Sequence, residues 1–118
     1  MAKKVVIVDD ALFMRESLKK ILEKNGFEVI GTANNGLTAL ELLKEVVPDV
    51  VTLDLTMPGM DGMQFLETIQ KINHSYKVVV VSAVAQEYNV TRAIELGAVD
   101  FIRKPYEVEK VINALKRI

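Results

Sequence analysis

The stretch "VTLDLTMPGMDG", residues 51–62, ends a run of apolar residues on a carboxylate, Asp54. Pro58 and Gly59 follow closely, and both residue types favour a turn. An acid at the end of a strand commonly caps a helix or reaches solvent, so Asp54 by itself identifies no function. Its meaning depends on which other residues the fold brings to the end of the same strand.

Short apolar runs rich in Val and Ile recur along the chain, without alternation of polar and apolar residues. They are "KVVIVDD" (4–10), "DVVTLDL" (49–55), "KVVVVSA" (77–83) and "AVDFIRKP" (98–105). Runs of this kind are typical of strands buried on both faces of a parallel sheet. A fifth run, "EVIGTANN" (28–35), is more polar and suits an edge strand.

Between these runs, apolar residues recur at helical spacing. The five predicted stripes are Met14, Leu18, Ile21 and Leu22; Leu40, Leu43 and Val47; Phe65, Leu66, Ile69 and Ile72; Val90, Ala93 and Ile94; and Val108, Val111, Ile112 and Leu115. The alternation predicts an α/β fold, a (βα)5 doubly wound sheet of five parallel strands. Because the connections are too short for a second domain, residues 1–118 are expected to form one domain.

Four local signals mark the predicted helix ends. Asn25-Gly26 and Gly97 are expected to terminate helices, and Asn35 and Asp61 are expected to cap helix N-termini.

Composition excludes several classes of function. The 118 residues include 15 basic and 16 acidic side chains, a net charge of −1, which argues against a general nucleic-acid-binding face. The chain has no cysteine, so disulfides and thiolate chemistry are excluded. No apolar stretch reaches the length of a membrane span. We therefore expect a cytoplasmic protein without membrane insertion or direct nucleic-acid binding.

Polar residues follow four of the five predicted strands. They are Asp9 and Asp10 after the first, Asp54 after the third, Ser82 after the fourth and Lys104 after the fifth. Ligands of doubly wound sheets bind outside the carboxyl ends of the strands. Each residue alone is weak evidence, but together, at one sheet edge, they indicate a site.

The chemistry of this predicted cluster is specific. Three carboxylates brought close repel one another, and a divalent cation relieves that repulsion. Oxygen ligands without His or Cys favour Mg²⁺ and argue against zinc. Lys104 adds a positive charge, so the cluster suits the acceptance of a phosphoryl group. Asp54 is the predicted nucleophile, since its strand is predicted to be central.

The segments "VDD" (8–10), "LDLTMPGMDG" (53–62), "VSA" (81–83) and "DFIRKPY" (100–106) together resemble the receiver domain of two-component response regulators. The resemblance covers essentially the whole chain. It implies a flavodoxin-like strand order 2-1-3-4-5 and a protein that is a phosphoacceptor switch rather than an enzyme. It also implies that Asp54 is the phosphorylated aspartate.

The resemblance implies a metal site as well. Asp10 is similar to a direct Mg²⁺ ligand, Asp9 to one that acts mainly through water, and the backbone carbonyl of Thr56 to a further ligand beside Asp54. Lys104 corresponds to the lysine that contacts the phosphoryl group, and its bond to Pro105 to the family's cis peptide.

Two further residues correspond to the moving parts of the family's switch. Ser82 is similar to the hydroxyl that meets the phosphoryl oxygen, and Phe101 to the aromatic residue that turns inward afterwards. Phe stands here in place of the more frequent Tyr.

The resemblance also implies partners. The single histidine, His74, is expected in a solvated loop, so the phosphoryl group should come from a separate histidine kinase. The output partner, for example a flagellar motor component, should bind the face of the fourth helix, fifth strand and fifth helix, which includes Tyr88, Arg92, Ile102 and Tyr106. "DDALFMRESL" (9–18) is similar to chemotaxis-type receivers. We expect a monomer.

Three other interpretations remain open from the sequence. The chain could be a receiver cut from a longer regulator with a DNA-binding or enzymatic output domain. It could be a hydrolase with an aspartyl-phosphate intermediate, although such enzymes usually place a second Asp where this chain has Thr56. It could bind a flavin, although the acids of "DDALFM" (9–14) would repel its phosphate.

Overall fold

Strands and helices alternate throughout the part of the chain that the computed structural model describes, residues 2–73 and 75–118. The strands are β1 (Lys4–Val8), β2 (Glu28–Ala33), β3 (Val50–Leu53), β4 (Val78–Ser82) and β5 (Asp100–Arg103). The helices are α1 (Leu12–Lys24), α2 (Gly36–Leu43), α3 (Gly62–Ile72), α4 (Glu87–Glu95) and α5 (Val108–Lys116). None of the described helices is long and apolar enough to cross a membrane.

All strand pairs are parallel, and the sheet order is β2-β1-β3-β4-β5. The predicted strand order is therefore confirmed, with the more polar β2 at one edge and β3 at the centre. In the middle of the sheet, Thr52 of β3 lies between Ile7 of β1 and Val79 of β4. The carboxyl ends of the central strands lie next to one another, so the residues that follow these strands are also neighbours.

A separate hydrophobic core covers each face of the sheet, because successive residues of a buried strand point to opposite faces. Val6 and Val8 of β1 join the core beneath α2, α3 and α4, whereas Val5 and Ile7 join the core beneath α1 and α5. This arrangement explains why the strands read as unbroken apolar runs. The doubly wound prediction is confirmed.

The predicted helix-end signals are also confirmed. The Asn35 side chain accepts a hydrogen bond from the backbone N–H of Thr38 (2.8 Å), and Asp61 forms a capping box with Gln64 at the start of α3. Gly26 and Gly97 follow α1 and α4 with φ angles of 87° and 103°. In this left-handed region glycine meets no Cβ penalty, so the chain can turn sharply.

The prediction for the second helix was wrong at its end. Val47 was placed on the apolar stripe with Leu40 and Leu43, but α2 ends at Leu43 and Val47 is 84% exposed. Pro48 disfavours the helical conformation for the residue before it, and Val46 and Val47 are β-branched. Pro48 therefore disfavours a helix that includes Val47, the last residue of the predicted stripe.

Candidate functional site

The carboxyl ends of the strands gather the predicted polar residues at one edge of the sheet. Asp9 and Asp10 follow β1, Asp54 follows β3, Ser82 ends β4, and Lys104 follows β5. Asp9 and Asp54 are buried, at 6% and 8% exposure, whereas Asp10 is exposed. The site thus has an interior part and one acid at its rim.

Three carboxylates form a compact cluster. Asp9, Asp10 and Asp54 each offer one carboxylate oxygen, and these oxygens lie within 4.8 Å of one another. Backbone amides orient the two buried acids: Ala11 donates to Asp9 (2.9 Å), and Thr56 donates to Asp54 (3.1 Å). These bonds leave the other oxygen of each carboxylate facing Lys104.

Lys104 bridges the two buried acids. Its Nζ lies 2.6 Å from Oδ2 of Asp9 and 3.3 Å from Oδ2 of Asp54, and its side chain is 15% exposed. Burial alone would lower the pKa of the ammonium, but the hydrogen bond to Asp9 and the charges of Asp54 and Asp9 outweigh it and raise the pKa. Lys104 therefore stays charged across the neutral range. Its peptide bond to Pro105 is cis.

Ser82 lies at the end of β4 and is fully buried. Its Oγ accepts a hydrogen bond from the backbone N–H of Val84 (3.2 Å), and its carbonyl accepts one from the backbone N–H of Lys104 (3.0 Å). The second bond ties the loop that carries Lys104 to the end of β4. Ser82 and Lys104 are therefore linked through the backbone.

Phe101 lies on β5, three residues before Lys104, and is partly buried against the core beneath α2, α3 and α4. Thr56 is exposed and lies just past Asp54 in the loop that leads to α3. Thr56 is thus next to the acids, whereas Phe101 packs against the core of the sheet. His74 lies outside the described residues.

The residues predicted to form the partner face differ in exposure. Tyr88 is 75% exposed, Arg92 is exposed, and Tyr106 is partly exposed. Ile102, however, is only 7% exposed and packs in the core beneath α1 and α5, so its inclusion in the face was wrong. Because successive side chains of a strand point to opposite faces of the sheet, Ile102 packs on the other face from its neighbour Phe101.

Sequence reasoning missed two features that shape the site. The guanidinium of Arg15 donates to the backbone carbonyl of Asp9 (2.8 Å), which anchors the turn between β1 and α1. A Cβ on Gly62 would lie 2.4 Å from Cα of Leu55 and 2.6 Å from the carbonyl oxygen of Asp54. Only glycine allows α3 to start this close to the segment after Asp54. The "DG" pair at 61–62 was a possible signal, but it was interpreted as a cap alone.

Comparisons with known proteins agree with this geometry. The profile of the response regulator receiver domain matches residues 5–116. The chain belongs to the response regulator receiver domain family. It is a CheY-like receiver of a two-component response regulator, and its strand order is the one known for CheY and flavodoxin.

Individual relatives align over nearly the full length of this receiver. It is 48% identical over 118 residues to the chemotaxis protein CheY of Thermotoga maritima, covering 100% of this chain and 98% of that protein. It is 47% identical over 117 residues to CheY of Bacillus subtilis, covering 99% and 98% of the two chains. The CheX–CheY–BeF3–Mg²⁺ complex from Borrelia burgdorferi contains a similar fold, with a TM-score of 0.94, 36% identity and coverage of 98% and 87%.

Membership of this family classifies the chain as a phosphoacceptor switch, in agreement with the prediction that it is not a conventional enzyme. Receiver domains bind Mg²⁺ in an acidic pocket, and this chain has a cluster of three acids at the corresponding edge of its sheet.

Proposed function

We propose that residues 1–118 act as one receiver domain that takes a phosphoryl group from a histidine kinase onto Asp54. The observation that carries this assignment is the placement of the Asp54 carboxylate. It ends the central strand, lies within 3.3 Å of the Lys104 ammonium, and shares the site with two more acids. Asp54 combines a nucleophilic oxygen with nearby positive charge.

The Asp54 side chain is largely shielded from solvent, and hydrogen bonds fix its orientation. Its side chain is 10% exposed, so only a small part of the carboxylate faces solvent. The backbone N–H of Thr56 holds one carboxylate oxygen, and Lys104 faces the other. A carboxylate held in one orientation attacks phosphorus without first losing rotational freedom.

The donor set fits Mg²⁺. Three carboxylates against one ammonium leave excess negative charge, and the oxygens within 4.8 Å of one another are the hard ligands that Mg²⁺ prefers. We assign Asp9, Asp10, Asp54 and the backbone carbonyl of Thr56 as the residues that hold it. When bound, Mg²⁺ supplies positive charge that neutralises the phosphoryl oxygens.

The transfer step balances without any further reactant. A carboxylate oxygen of Asp54 forms a bond to the phosphorus of the kinase phosphohistidine, while the P–N bond breaks and its electron pair returns to the imidazole. The product is an acyl phosphate on Asp54. Lys104 stabilises the negative charge on the transferred group, and because its pKa is raised it remains an ammonium while doing so.

Ser82 and Phe101 form the proposed switch. The Ser82 hydroxyl is fully buried at the end of β4 and accepts only a local hydrogen bond from Val84. Phosphorylation offers it a charged acceptor, which is a stronger partner than a backbone amide. Ser82 then moves toward Asp54, and Phe101 of β5 moves into the space behind it. The phosphoryl group thereby shifts an equilibrium between two packed states.

The output face is formed by α4, β5 and α5 and includes Tyr88, Arg92 and Tyr106. We propose that the switch changes the affinity of this face for a partner such as a flagellar motor component. The support is the similarity to chemotaxis proteins named CheY at 48% and 47% identity. On this proposal the protein works in the cytoplasm as a monomer.

Mass spectrometry of the intact protein tests the acceptor. With Mg²⁺ and a small phosphodonor, wild type should gain the mass of one phosphoryl group, and Asp54→Asn should gain none. Chelation of Mg²⁺ should prevent uptake by wild type. Uptake by Asp54→Asn would assign the phosphate to another residue, and a wild-type protein that gains no mass would refute the proposed function.

Partner binding tests the switch. Lys104→Arg keeps a positive charge at the site, so it should still accept phosphate, but the planar guanidinium cannot reproduce the ammonium's contacts with both acids. We expect phosphorylation to change partner affinity in wild type and to leave it unchanged in this variant. A normal response of Lys104→Arg would exclude Lys104 from the switch.

A further inference from the structure

The hydroxyl of Thr52 lies inside the sheet, two residues before Asp54. Thr52 is 1% exposed, and across residues 2–73 and 75–118 its Oγ1 is the one buried side-chain nitrogen or oxygen that has no hydrogen-bond partner. A buried hydroxyl without a partner costs free energy, and in native proteins such groups are commonly satisfied by buried water. A partner for this hydroxyl is therefore expected.

A small cavity lies beside Thr52, on the side of the sheet that α1 covers. Its lining includes Met14 and Leu18 of α1. The polar residues in the lining are Thr52, Asp9, Asp54, Lys104 and Tyr106. The volume open to the centre of a water molecule is ≈ 10 Å³, and one water requires about this much space. The cavity therefore has room for a single water.

A water in this cavity would have several polar partners. The Thr52 hydroxyl can both donate and accept a hydrogen bond. Lys104 has three N–H groups, of which two face Asp9 and Asp54, and the third has no acceptor among the described residues. The two carboxylates that line the cavity are additional acceptors. Buried waters typically make two to four such bonds, so the lining suits one.

We propose that the cavity holds one buried water that is hydrogen-bonded to the Thr52 hydroxyl. This water, in turn, holds the Lys104 ammonium in place beside Asp54. Thr52 is then a positioning residue, because it acts through the water and does not touch the phosphoryl group. The consequence for phosphorylation rests on the proposed function. The water itself and the position of Lys104 do not.

Packing alone would explain Thr52 differently. Thr is β-branched and suits a strand, but Val would fill the same space without an unpaired hydroxyl. The other residues of β3, Val50, Val51 and Leu53, are all apolar and buried. If packing were the whole role of Thr52, replacing it with Val would leave the site unchanged. If the hydroxyl holds a water, the same replacement disturbs Lys104.

Crystal structures of wild type, Thr52→Val and Thr52→Ser, all without Mg²⁺, test the water directly. Wild type and Thr52→Ser should show a water within hydrogen-bonding distance of the residue 52 hydroxyl. Thr52→Val should lack it, and Lys104 Nζ should move from its place 3.3 Å from Oδ2 of Asp54. A wild-type structure without the water, or an unmoved Lys104 in Thr52→Val, would overturn the proposal.

Rates and stabilities together give a second test. Thr52→Ser loses a buried methyl group and should unfold at a lower urea concentration than Thr52→Val. Phosphorylation by a small phosphodonor should nevertheless be about fivefold slower in Thr52→Val, which corresponds to one net hydrogen bond, and close to wild type in Thr52→Ser.

Rates that follow the order of stability, or a wild-type rate in Thr52→Val, would contradict the positioning role. If wild type itself takes up no phosphate, the proposed function fails. The crystal structures would still decide the water and the position of Lys104, so the two failures remain distinguishable.

Discussion

Charged residues are placed differently at the two ends of the sheet. At the amino end, Lys3 donates to the carbonyls of Leu115 and Lys116 (2.9 and 2.8 Å), and Asp49 accepts from the backbone N–H of Lys4 (2.7 Å). These polar groups lie at the surface and close the ends of neighbouring elements.

At the carboxyl end, charged groups are brought close together and partly buried. Asp9 and Asp54 are buried around Lys104, and Asp10 adds a third carboxylate at the rim. Like charges in a partly buried site repel one another. The charged groups at the carboxyl end therefore lower the stability of the fold, whereas those at the amino end do not. The difference supports the proposed placement of the chemistry at the carboxyl end of the sheet.

The largest expected effect comes from the tight contact behind Asp54. Gly62→Ala would place a Cβ 2.4 Å from Cα of Leu55, and backbone atoms cannot easily move aside. We expect a loss of about 3 kcal/mol in the free energy of unfolding, measured with urea. Gly36→Ala is the matched control, since Gly36 is also the first residue of a helix but its Cβ would meet only the Met60 side chain (3.0 Å). Equal losses in the two variants would contradict the backbone explanation.

Replacement of Lys104, the positively charged residue between the acids, should have the second-largest effect on stability. Lys104→Met leaves the buried carboxylates of Asp9 and Asp54 without a positive neighbour, and we expect a loss of about 2 kcal/mol without Mg²⁺. Added Mg²⁺ should stabilise this variant more than it stabilises wild type, because the metal would replace the lost charge. Urea titrations with and without Mg²⁺ measure both effects. A variant as stable as wild type without Mg²⁺ would mean that the acids do not depend on Lys104.

The amino end should respond less to the loss of a charge. Lys3→Met removes two hydrogen bonds to the end of α5, one partly buried and one exposed, and we expect a loss below about 1 kcal/mol in the free energy of unfolding. Phosphate uptake should stay at the wild-type level, since Lys3 lies at the opposite end of the sheet. Slower uptake in Lys3→Met would break the proposed division between the two ends.

Alkaline pH should act through the carboxyl end. The pKa of Lys104 is raised in the folded state, so its stabilising contribution is complete below the usual lysine value of 10.5 and is lost as pH rises through the folded value. Burial also raises the pKa of the Tyr106 hydroxyl, with a smaller opposing effect of Lys104, and this acts in the same direction. Stability should therefore fall less steeply above pH 10.5 in Lys104→Met than in wild type. Parallel curves would contradict this assignment.

The smallest effect should be a gain. Asp10→Asn removes one of three mutually repelling carboxylates, and because Asp10 is exposed we expect a gain of only a few tenths of a kcal/mol, roughly 0.5, without Mg²⁺. The same change should weaken Mg²⁺ binding, measured by calorimetry. Stability unchanged by the substitution, together with unchanged Mg²⁺ affinity, would remove Asp10 from the cluster.

Much of the site was predictable from residues close in sequence. Unbroken Val and Ile runs indicated strands buried on both faces, and the polar residues that end them had to share one edge of a parallel sheet. Asn35 and Asp61 marked helix starts through side-chain caps that act over three residues. These features depend on residues that are close in sequence. Hydrophobic spacing and short-range hydrogen bonding are therefore sufficient to predict them.

The predictions that were wrong depended on orientation. Ile102 was assigned to a partner face, but strand alternation turns it into the core, and Val47 continued a helical pattern that Pro48 interrupts. The spacing of apolar residues does not show which way a side chain points in a short edge strand. It also does not show where a residue such as proline ends a helix within an apolar stripe.

The sequence by itself determined the fold class, the strand ends that carry the polar residues, and the chemistry that those residues can support. Tertiary structure decided the distances: the bridge of Lys104 between Asp9 and Asp54, the close approach at Gly62, and the burial of the Thr52 hydroxyl above a water-sized cavity. The physical reason is that these features join residues far apart in the chain. Their distances depend on how the helices pack on the sheet, which residue types and spacing do not record.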